Sequence, residues 1–229
     1  MPIFLLDERP VFPPAELATP EGIIAIGGDL SPQRLLSAYA GGIFPWFNED
    51  DPILWWSPDP RLVLFPGKLH VSSSMKKLLA QNAFDVTIDT NFEEVIRNCS
   101  NPRKTQKGTW ITNDIIRSYT ALHEMGYAHS IEVWQDNRLV GGFYGSSLGS
   151  CFFGESMFYK VSNASKYGFI VFVRKLFEMG FTVVDCQVPT SHLKSLGAEE
   201  ITREKFLVFL DEGLKSETRI GKWDFLNKK

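Results

Sequence analysis

Residues 130–158, SIEVWQDNRLVGGFYGSSLGSCFFGESMF, contain three apolar runs that are separated by two short turns. The runs SIEVW, LVGGFYG and SCFFGESMF are rich in aromatic and β-branched residues, which strands favour. The sequences between them, QDNR at 135–138 and SSLG at 146–149, are short and polar enough to form tight turns. The stretch therefore predicts an antiparallel meander of three strands.

Helices and further strands are predicted on both sides of this meander. Apolar residues recur at helical spacing over 112–125 and over 163–180, and each pattern stops at a glycine. The run FTVVDCQV at 181–188 is typical of a buried strand, and a last helix is predicted over 203–213. Residues 61–100 alternate strand and helix patterns. The order predicts an α+β domain over residues 61–229 with a central mixed sheet.

The first sixty residues follow a different pattern and are predicted to form a small α/β N-terminal domain, residues 1–60. GIIAIGGDL at 22–30 predicts a strand and a turn, and Ser31 with Pro32 begins a helix. The next segment, GIFPWFNEDDPILWWSPDPR at 42–61, is dense in aromatic residues and is interrupted by prolines. We expect an irregular backbone there, with aromatic side chains that fill a domain junction or line a cleft.

The composition argues against several classes of protein. The chain has 229 residues and a net charge of -3, which disfavours broad binding to a nucleic-acid backbone because such binding neutralises many phosphates. No apolar run approaches the roughly 20 residues of a membrane span, and MPIFLLDERP does not resemble a signal peptide. We therefore expect a cytoplasmic protein without a membrane partner. The cysteines and histidines show no metal-ligand spacing, so no metal is predicted.

The order helix, antiparallel meander, helix, strand, helix resembles the N-acetyltransferase fold, in which a central sheet holds an acyl donor against an attacking amine. Acetyltransferases bind the coenzyme A pyrophosphate in a Q/R-x-x-G-x-G/A turn after the central strand. The corresponding junction, GESMFYKVSNASK at 154–166, contains no such turn. The nearest match begins at Arg138, lies one strand too early and ends on Phe143. We therefore expect an acyl group that arrives on another carrier.

Seven sequence strings together resemble the leucyl/phenylalanyl-tRNA-protein transferase family. They occur in order between residues 22 and 198: GGDLSPQRLLSAYAGGIFPWF, DPILWWSPDPR, GTWIT, AHSIEVW, GESMF, NASK and DCQV. The resemblance implies an N-acetyltransferase-like domain behind a small N-terminal domain. It implies transfer of leucine or phenylalanine, with methionine as a further candidate, from aminoacyl-tRNA to the N-terminal Arg or Lys of a protein. The product is an N-degron. Aminoacyl-tRNA is then a co-substrate, no cofactor is needed, and we expect a monomer.

The resemblance also implies which residues bind the donor. Trp46 and Trp110 match tryptophans that stack on the terminal adenosine of the tRNA, a contact that needs little positive charge. Glu155 matches the residue that binds the donor's α-ammonium group. Six apolar residues match the pocket for the acyl side chain: Phe143, Phe152, Met157, Phe169, Phe172 and Val184. From their pattern alone these six are typical of a core, as are Trp55 and Trp56. Phe143 replaces the usual methionine, which leaves the preference between leucine and phenylalanine open.

The catalytic residues implied by the resemblance are Asp185 and Gln187. An α-amine of pKa about 7.7 to 8.0 is partly neutral near pH 7.4, so positioning matters more than a strong base. We expect Asp185 to polarise Gln187, whose amide oxygen orients the attacking amine, with both side chains on one face of the strand and Cys186 on the other. A buried structural role is the alternative for Asp185. Tyr39 and Tyr119 match positions near the cleft, but each also lies on an apolar helix face.

Basic residues that could contact the tRNA are few. Lys76 and Lys77 lie on a predicted helix, where the family can carry a larger basic cluster. Arg103, Lys104 and Lys107, in a loop without acidic residues, are predicted to supply the remaining charge, although such a run is also typical of a solvated loop.

Three other functions are alternatives to this one. Aminoacyl-tRNA-dependent transferases that act on peptidoglycan precursors are usually longer, with a duplicated domain. A non-catalytic binder of charged tRNA would bind the donor without transferring its acyl group. A serine hydrolase is disfavoured, because the sequence around Ser156 lacks the second glycine of a nucleophile elbow.

Overall fold

The structure, a computed structural model, describes residues 2–101 and 109–227. Two sheets are formed, by residues 4–56 and 61–201. The strands are β1 (Phe4–Leu6), β2 (Ile23–Gly27), β3 (Phe44–Pro45), β4 (Leu54–Trp56), β5 (Arg61–Leu64), β6 (Asp85–Ile88), β7 (Ala128–Gln135), β8 (Arg138–Leu148), β9 (Cys151–Tyr159), β10 (Val183–Gln187) and β11 (Glu199–Ile201). The helices are α1 (Pro32–Ala40), α2 (Ser73–Ala80), α3 (Phe92–Ser100), α4 (Asn113–Glu124), α5 (Ala164–Glu178), α6 (Ser191–Lys194) and α7 (Arg203–Leu214), with a 3-10 turn at Ala15–Leu17.

The predicted meander is formed by β7, β8 and β9. Asp136 and Asn137 connect β7 to β8 with φ angles of 50° and 58°, as a type I′ hairpin turn requires. The second predicted turn is wrong by two residues, because β8 continues through Leu148 and the chain turns at Gly149, whose φ is 55°. Ser147 is buried within β8, with its hydroxyl 3.3 Å from Nε2 of His129, so a polar residue can occupy this strand position.

The large sheet has the strand order β11-β5-β10-β9-β8-β7-β6. β9 and β10 run parallel, whereas the other neighbouring strands run antiparallel. The parallel ladder ends at the pair Phe153 and Asp185. Directly beyond that pair, each strand has a β-bulge: Glu155 is left out of the pairing between β8 and β9, and Cys186 is left out of the pairing between β5 and β10. Such bulges redirect side chains, and here they lie where the pairing between β9 and β10 ends.

Helices cover both faces of the large sheet. α5 contributes to one apolar core, here called the α5 core, which includes Phe152 and Val184. α3 and α4 contribute to the other, the α4 core, which includes Phe153. Because Phe152 and Phe153 are consecutive residues of β9, their side chains point to opposite faces. The α+β fold class and the order of the helices and strands are as expected.

The tryptophan-rich segment contributes β3 and β4 to the small sheet, whose order is β1-β2-β4-β3. The expectation of an irregular backbone is therefore wrong for these residues. Trp55 is fully buried, and its Nε1 donates to the carbonyl oxygen of Gly27 at 2.9 Å. The α4 core contains Trp55 and Tyr39 together with Tyr119, so apolar packing continues across residue 60. The division into two domains at that residue stays a prediction.

The C-terminal segment 215–227 lies against the edge of the large sheet. The Trp223 ring stacks on His129 with 3.6 Å between ring centroids, and its backbone N donates to Oδ2 of Asp89 at 2.8 Å. The Asn227 side chain accepts from the backbone N of Ile88 at 2.8 Å and donates to its oxygen at 3.0 Å. Asn227 thus satisfies backbone groups of the edge strand β6. None of the helices in the described ranges is long and apolar enough to cross a bilayer.

Candidate active site

Glu155 lies on β9 just beyond the last residue of that strand that pairs with β10, Phe153. Its Oε1 atom accepts hydrogen bonds from the Tyr39 hydroxyl at 2.6 Å and from Nε2 of Gln187 at 3.1 Å. Its Oε2 atom is enclosed, and no described residue donates a hydrogen bond to it. A buried carboxylate oxygen without a donor is unfavourable, because its lost hydration is not compensated. A ligand that presents N–H groups to Oε2 would therefore be stabilised here.

Burial raises the pKa of Glu155 to about 7, from 4.5 for an unperturbed glutamate. The negative charge of Asp185 acts in the same direction, whereas the hydroxyls of Tyr39 and Tyr119 and the charge of Arg61 lower the pKa. The carboxyl group therefore changes its charge near neutral pH. A cation beside Oε2 would favour the ionised form.

Two tyrosines connect Glu155 to the helices. The hydroxyls of Tyr39, on α1, and Tyr119, on α4, are 2.5 Å apart, and both side chains are buried. Burial, together with the charge of Glu155, holds the pKa of each tyrosine well above its usual range. The sequence left both residues open between core and cleft. They belong to the α4 core, and Tyr39 also contacts the candidate site.

Asp185 is fully buried and pairs with Arg61. Nε and Nη2 of Arg61 donate to the two carboxylate oxygens at 2.8 and 2.6 Å, and each side chain is 1% exposed. The guanidinium group also lies between the rings of Phe44 and Phe206, at 4.8 and 4.4 Å from their centroids. A bidentate ion pair compensates the burial of both charges. Asp185 therefore has a structural partner that the sequence did not reveal.

Asp185 contacts Gln187 differently from the expectation. Its Oδ1 accepts from the backbone N of Gln187 at 2.9 Å, whereas the side-chain amide of Gln187 donates to Glu155. The expected polarisation of that amide by Asp185 is thus wrong for this structure. Cys186 packs in the α5 core, on the opposite face from Asp185, whose partner Arg61 lies over two rings of the α4 core. The β5–β10 register also shifts between Asp185 and Gln187, whose φ is 62°. The bulge turns the Gln187 side chain toward Glu155.

The six predicted acyl-pocket residues come together around the α5 core. Phe143, Phe152, Phe169, Phe172 and Val184 are buried in this core, and Met157 is partly buried against it. The ring of Phe172 lies 5.5 Å from that of Phe143 and 4.8 Å from that of Phe152, centroid to centroid. Phe152 and Val184 form the ladder pair next to the last one, which is Phe153 with Asp185. The cluster therefore adjoins Glu155 along the strands.

The tryptophans differ in exposure. Trp46 is 43% exposed and lies 5.5 Å from the Trp56 ring, whose Nε1 donates to the backbone oxygen of Trp46 at 2.6 Å. Trp110 is partly buried against the α4 core. Trp55 is a core residue, in agreement with its packing pattern. Trp46 thus presents an aromatic surface on a backbone fixed by β3 and β4, as stacking on a base requires.

The predicted basic residues divide between two regions. Lys76 and Lys77 are exposed on α2, where a phosphate could be contacted. Arg103, Lys104 and Lys107 lie outside the described residues. Within residues 2–101 and 109–227, no group of three or more His, Cys, Asp or Glu side chains could hold a metal ion.

Arg61 is the residue of this site that the sequence reading missed. It opens the apolar strand RLVLF after the string SPDP, and a charge beside a buried strand was the available signal. Its partner Asp185 is 124 residues away in sequence. No local pattern joins two residues at that separation.

Two family models match the chain. The leucyl/phenylalanyl-tRNA protein transferase model covers residues 63–211, and the model of that family's N-terminal domain covers residues 28–59. A leucyl/phenylalanyl-tRNA--protein transferase of Nitrosospira multiformis is 54% identical over 222 residues, which are 96% of this chain and 96% of that protein. One from Myxococcus xanthus is 53% identical over 226 residues, 97% of each chain.

Two solved structures resemble the chain more distantly. L-PGS from Bacillus licheniformis is 11% identical, with 86% of this chain and 66% of that chain covered and a TM-score of 0.42. A GCN5-related N-acetyltransferase from Kribbella flavida is 9% identical, with 72% and 58% covered and a TM-score of 0.36. These scores are too low to support an inference about function. The family models and the full-length relatives do suffice: this chain belongs to the leucyl/phenylalanyl-tRNA protein transferase family.

Proposed function

We propose that the chain transfers leucine or phenylalanine from aminoacyl-tRNA to the N-terminal Arg or Lys of an acceptor protein, which creates an N-degron. One observation carries the proposal: more than half of the residues are identical to those of transferases that match over nearly the whole length, 54% in one case. The geometry around Glu155 supports a donor that carries a free α-ammonium group.

In this proposal Oε2 of Glu155 accepts a hydrogen bond from the donor's α-ammonium group. The contact joins opposite charges in a partly enclosed site, where charge-assisted hydrogen bonds are strong. It would also distinguish an aminoacyl group from a plain acyl group, which has no ammonium at this position. The aromatic cluster of the α5 core would receive the Leu or Phe side chain, with Met157 adapting to either shape.

The adenosine and the rest of the tRNA would bind outside the core. Trp46, with its exposed ring, and Trp110 are proposed to stack on the terminal adenosine, a contact worth roughly 1 to 3 kcal/mol per base. Lys76 and Lys77 are proposed phosphate contacts, and Arg103, Lys104 and Lys107 are proposed to add to them. A few local contacts of this kind are compatible with the net charge of -3.

The proposed reaction is an aminolysis of the ester. The neutral α-amine of the acceptor attacks the carbonyl carbon that links the amino acid to the terminal ribose. A C–N bond forms, the ester C–O bond breaks, and one amine proton ends on the ribose oxygen of the released tRNA. Because the ester supplies the driving force, the balance requires no further cofactor.

Gln187 is the proposed group that orients the attacking amine. When Nε2 of Gln187 donates to Glu155, the amide oxygen is directed elsewhere and can accept from the amine. Asp185 is proposed to act on Gln187 through the backbone, since its Oδ1 holds the Gln187 backbone N at 2.9 Å. We further propose a monomer that acts in the cytoplasm, where aminoacyl-tRNA is formed.

The proposal is tested with tRNA charged with radioactive leucine, phenylalanine or methionine and with peptides that begin with Arg or Lys. We expect label on these peptides from leucyl- and phenylalanyl-tRNA, and none on the same peptides after N-terminal acetylation. Absence of label under every condition would contradict the proposed activity. Binding of charged tRNA by the wild-type protein without transfer would instead identify a non-catalytic binder.

A further inference from the structure

We propose that Tyr39 and Tyr119 are positioning residues of the transfer reaction, which hold the Glu155 carboxylate and, through it, the amide of Gln187 in their productive orientations. This inference rests on the proposed function, in which Glu155 binds the donor and Gln187 orients the acceptor amine. It adds two residues from the helices to a site that is otherwise built on β9 and β10.

The hydrogen bonds have one consistent direction when Glu155 is ionised. A carboxylate only accepts, so the Tyr39 hydroxyl must donate its proton to Oε1, at 2.6 Å. The Tyr39 oxygen then accepts from the Tyr119 hydroxyl, at 2.5 Å. Gln187 must likewise present its NH₂ group to Oε1, at 3.1 Å. The chain of donors therefore runs from Tyr119 through Tyr39 to Glu155, where it meets the amide of Gln187.

Two consequences follow for the reacting groups. Oε1 of Glu155 is occupied by two donors, which leaves Oε2 as the oxygen that can receive a ligand, and no described residue donates to Oε2. The fixed direction also decides which end of the Gln187 amide faces Glu155. If Glu155 lost this orientation, the amide oxygen of Gln187 would no longer be directed toward an attacking amine.

The two tyrosines are themselves firmly held. Tyr39 and Tyr119 are 1% and 0% exposed, and they belong to α1 and α4 respectively. The Tyr39 ring contacts that of Phe153 at 4.8 Å, and the Tyr119 ring contacts that of Tyr144 at 5.4 Å, between centroids. Rigid helices with locked side chains can position a carboxylate more closely than a solvated loop can.

Several charged or titratable groups face Glu155, and they set the direction of the pH effect. Tyr39 from α1, Tyr119 from α4 and Arg61 from β5 lower its pKa, whereas burial and Asp185 from β10 raise it. Tyr144 from β8 also lies within reach of the Glu155 charge, which raises the pKa of Tyr144. Removing the Tyr39 hydroxyl removes a donor that favours the ionised carboxyl. The pKa of Glu155 must then rise, so ionisation requires a higher pH.

Tyr144 provides a matched control. It is a 0% exposed tyrosine of the same core, from β8, and its ring contacts Tyr119. Its hydroxyl has no hydrogen-bond partner among the residues that the structure describes. Tyr144→Phe therefore removes the same atom from the same core without interrupting the chain of donors.

The experiment measures transfer of label from phenylalanyl-tRNA to an Arg peptide as a function of pH. It compares wild type with Tyr39→Phe, Tyr119→Phe and Tyr144→Phe, and it includes thermal unfolding of each protein. Tyr39→Phe removes a hydrogen bond to a charged group. Because such bonds contribute more free energy than bonds between neutral groups, the variant should lower kcat/KM roughly 10- to 100-fold. The acidic limb of its pH profile should move to higher pH. Tyr119→Phe should act in the same direction with a smaller change, and Tyr144→Phe should match wild type.

The inference would be overturned if Tyr39→Phe and Tyr144→Phe had the same pH profile of kcat/KM. It would also be overturned if kcat/KM fell to a similar extent in both variants and the acidic limb did not shift. If Tyr39→Phe does not fold, the same comparison is made with Tyr119→Phe. Its pH profile of kcat/KM should then differ from that of Tyr144→Phe, and equal profiles would overturn the inference. Wild-type transfer is measured first, so a failure of the proposed function is recognised separately. Transfer by wild type together with unshifted variants would contradict only the positioning role.

Discussion

Two acidic residues of the site, the buried Asp185 and the partly buried Glu155, differ in how their charge is compensated. Asp185 has a bidentate cationic partner in Arg61, whereas Glu155 receives only neutral donors at one oxygen. Burial is the main reason that the pKa of Glu155 is raised to about 7. At the residue scale, Asp185 is suited to a fixed structural role and Glu155 to binding a cation.

The first prediction concerns the pH dependence of stability and activity through Glu155. Its pKa in the folded chain, about 7, lies above the unperturbed 4.5, so folding takes up a proton between these values. The stabilisation from this group is complete below pH 4.5 and is lost as the pH rises through about 7. Denaturant unfolding should show this loss in wild type and not in Glu155→Gln.

Transfer should have the opposite trend, because the ionised carboxylate binds the donor. We expect the KM for aminoacyl-tRNA to rise in Glu155→Gln. In the pH profile of transfer, the part of the acidic limb that is due to Glu155 should flatten in this variant. Glu217→Gln, at an exposed position, is the control and should behave as wild type. A wild-type pH dependence retained in Glu155→Gln would argue against this assignment.

The second prediction separates the structural role of the Arg61–Asp185 pair from its catalytic role. Arg61→Met leaves a buried carboxylate without its partner and should cost about 3 to 5 kcal/mol in the free energy of unfolding. Arg61→Met combined with Asp185→Leu removes both charges, and we expect it to recover most of the lost stability without recovering transfer. Denaturant unfolding and label transfer provide the two readouts. Recovery of transfer in the double variant would show that Asp185 is dispensable for the reaction.

At the scale of elements, the contact between α5 and the meander explains why residue 141 is a glycine. The same glycine belongs to the partial match to a coenzyme A turn that begins at Arg138. Gly141 lies in β8, and a Cβ atom added there would come within 2.8 Å of Cβ of Ala164, at the start of α5. The glycine allows the helix to approach the sheet closely. Gly141 therefore serves packing, in accord with the missing coenzyme A turn.

The third prediction follows from this close contact. Gly141→Val should force α5 away from the sheet and lower the free energy of unfolding by about 1 to 3 kcal/mol, as overpacked cores do. Gly154→Ala is the control, because a Cβ atom at that strand position meets its nearest described neighbour, the Asp185 backbone oxygen, at 3.6 Å. Thermal unfolding should detect the first change and show little effect of the second. Equal stability of both variants would contradict the packing role of Gly141.

At the scale of the whole molecule, the C-terminal segment connects with parts of the chain that are far from it in sequence. Trp223 stacks on His129 and donates to Asp89, which in turn lies 2.8 Å from Nδ1 of His129. Burial lowers the pKa of His129, so the neutral ring is favoured in the folded chain. The segment thus covers a buried polar network as well as the edge of the sheet.

The fourth prediction is that this cover contributes substantially to stability. Trp223→Ala should lower the free energy of unfolding by about 3 to 5 kcal/mol, as removal of large buried aromatic side chains does. Lys222→Ala, at the exposed neighbouring position, should change it little. A Trp223→Ala protein as stable as wild type would contradict the role of the segment as a cover.

The sequence by itself determined the elements and much of the family. Periodic apolar positions, glycine stops and the Asp136–Asn137 turn depend on neighbours a few residues away, and the long tryptophan-containing strings are specific to one family. The position predicted for the second hairpin turn was wrong, because Ser146 and Ser147 are typical turn residues, whereas both are buried within β8.

The tertiary structure alone decided how the site is connected. Tyr39 and Glu155 are 116 residues apart, and Arg61 and Asp185 are 124 residues apart, so their contacts depend on how distant strands and helices pack. The bulges at Glu155 and Cys186 likewise result from the pairing of each strand with its neighbours. The tryptophan-rich segment, expected to be irregular, forms strands because β4 pairs with β2 on one side and with β3 on the other. Local sequence fixes backbone preference and burial pattern, whereas the direction of the site's hydrogen bonds is fixed by nonlocal packing.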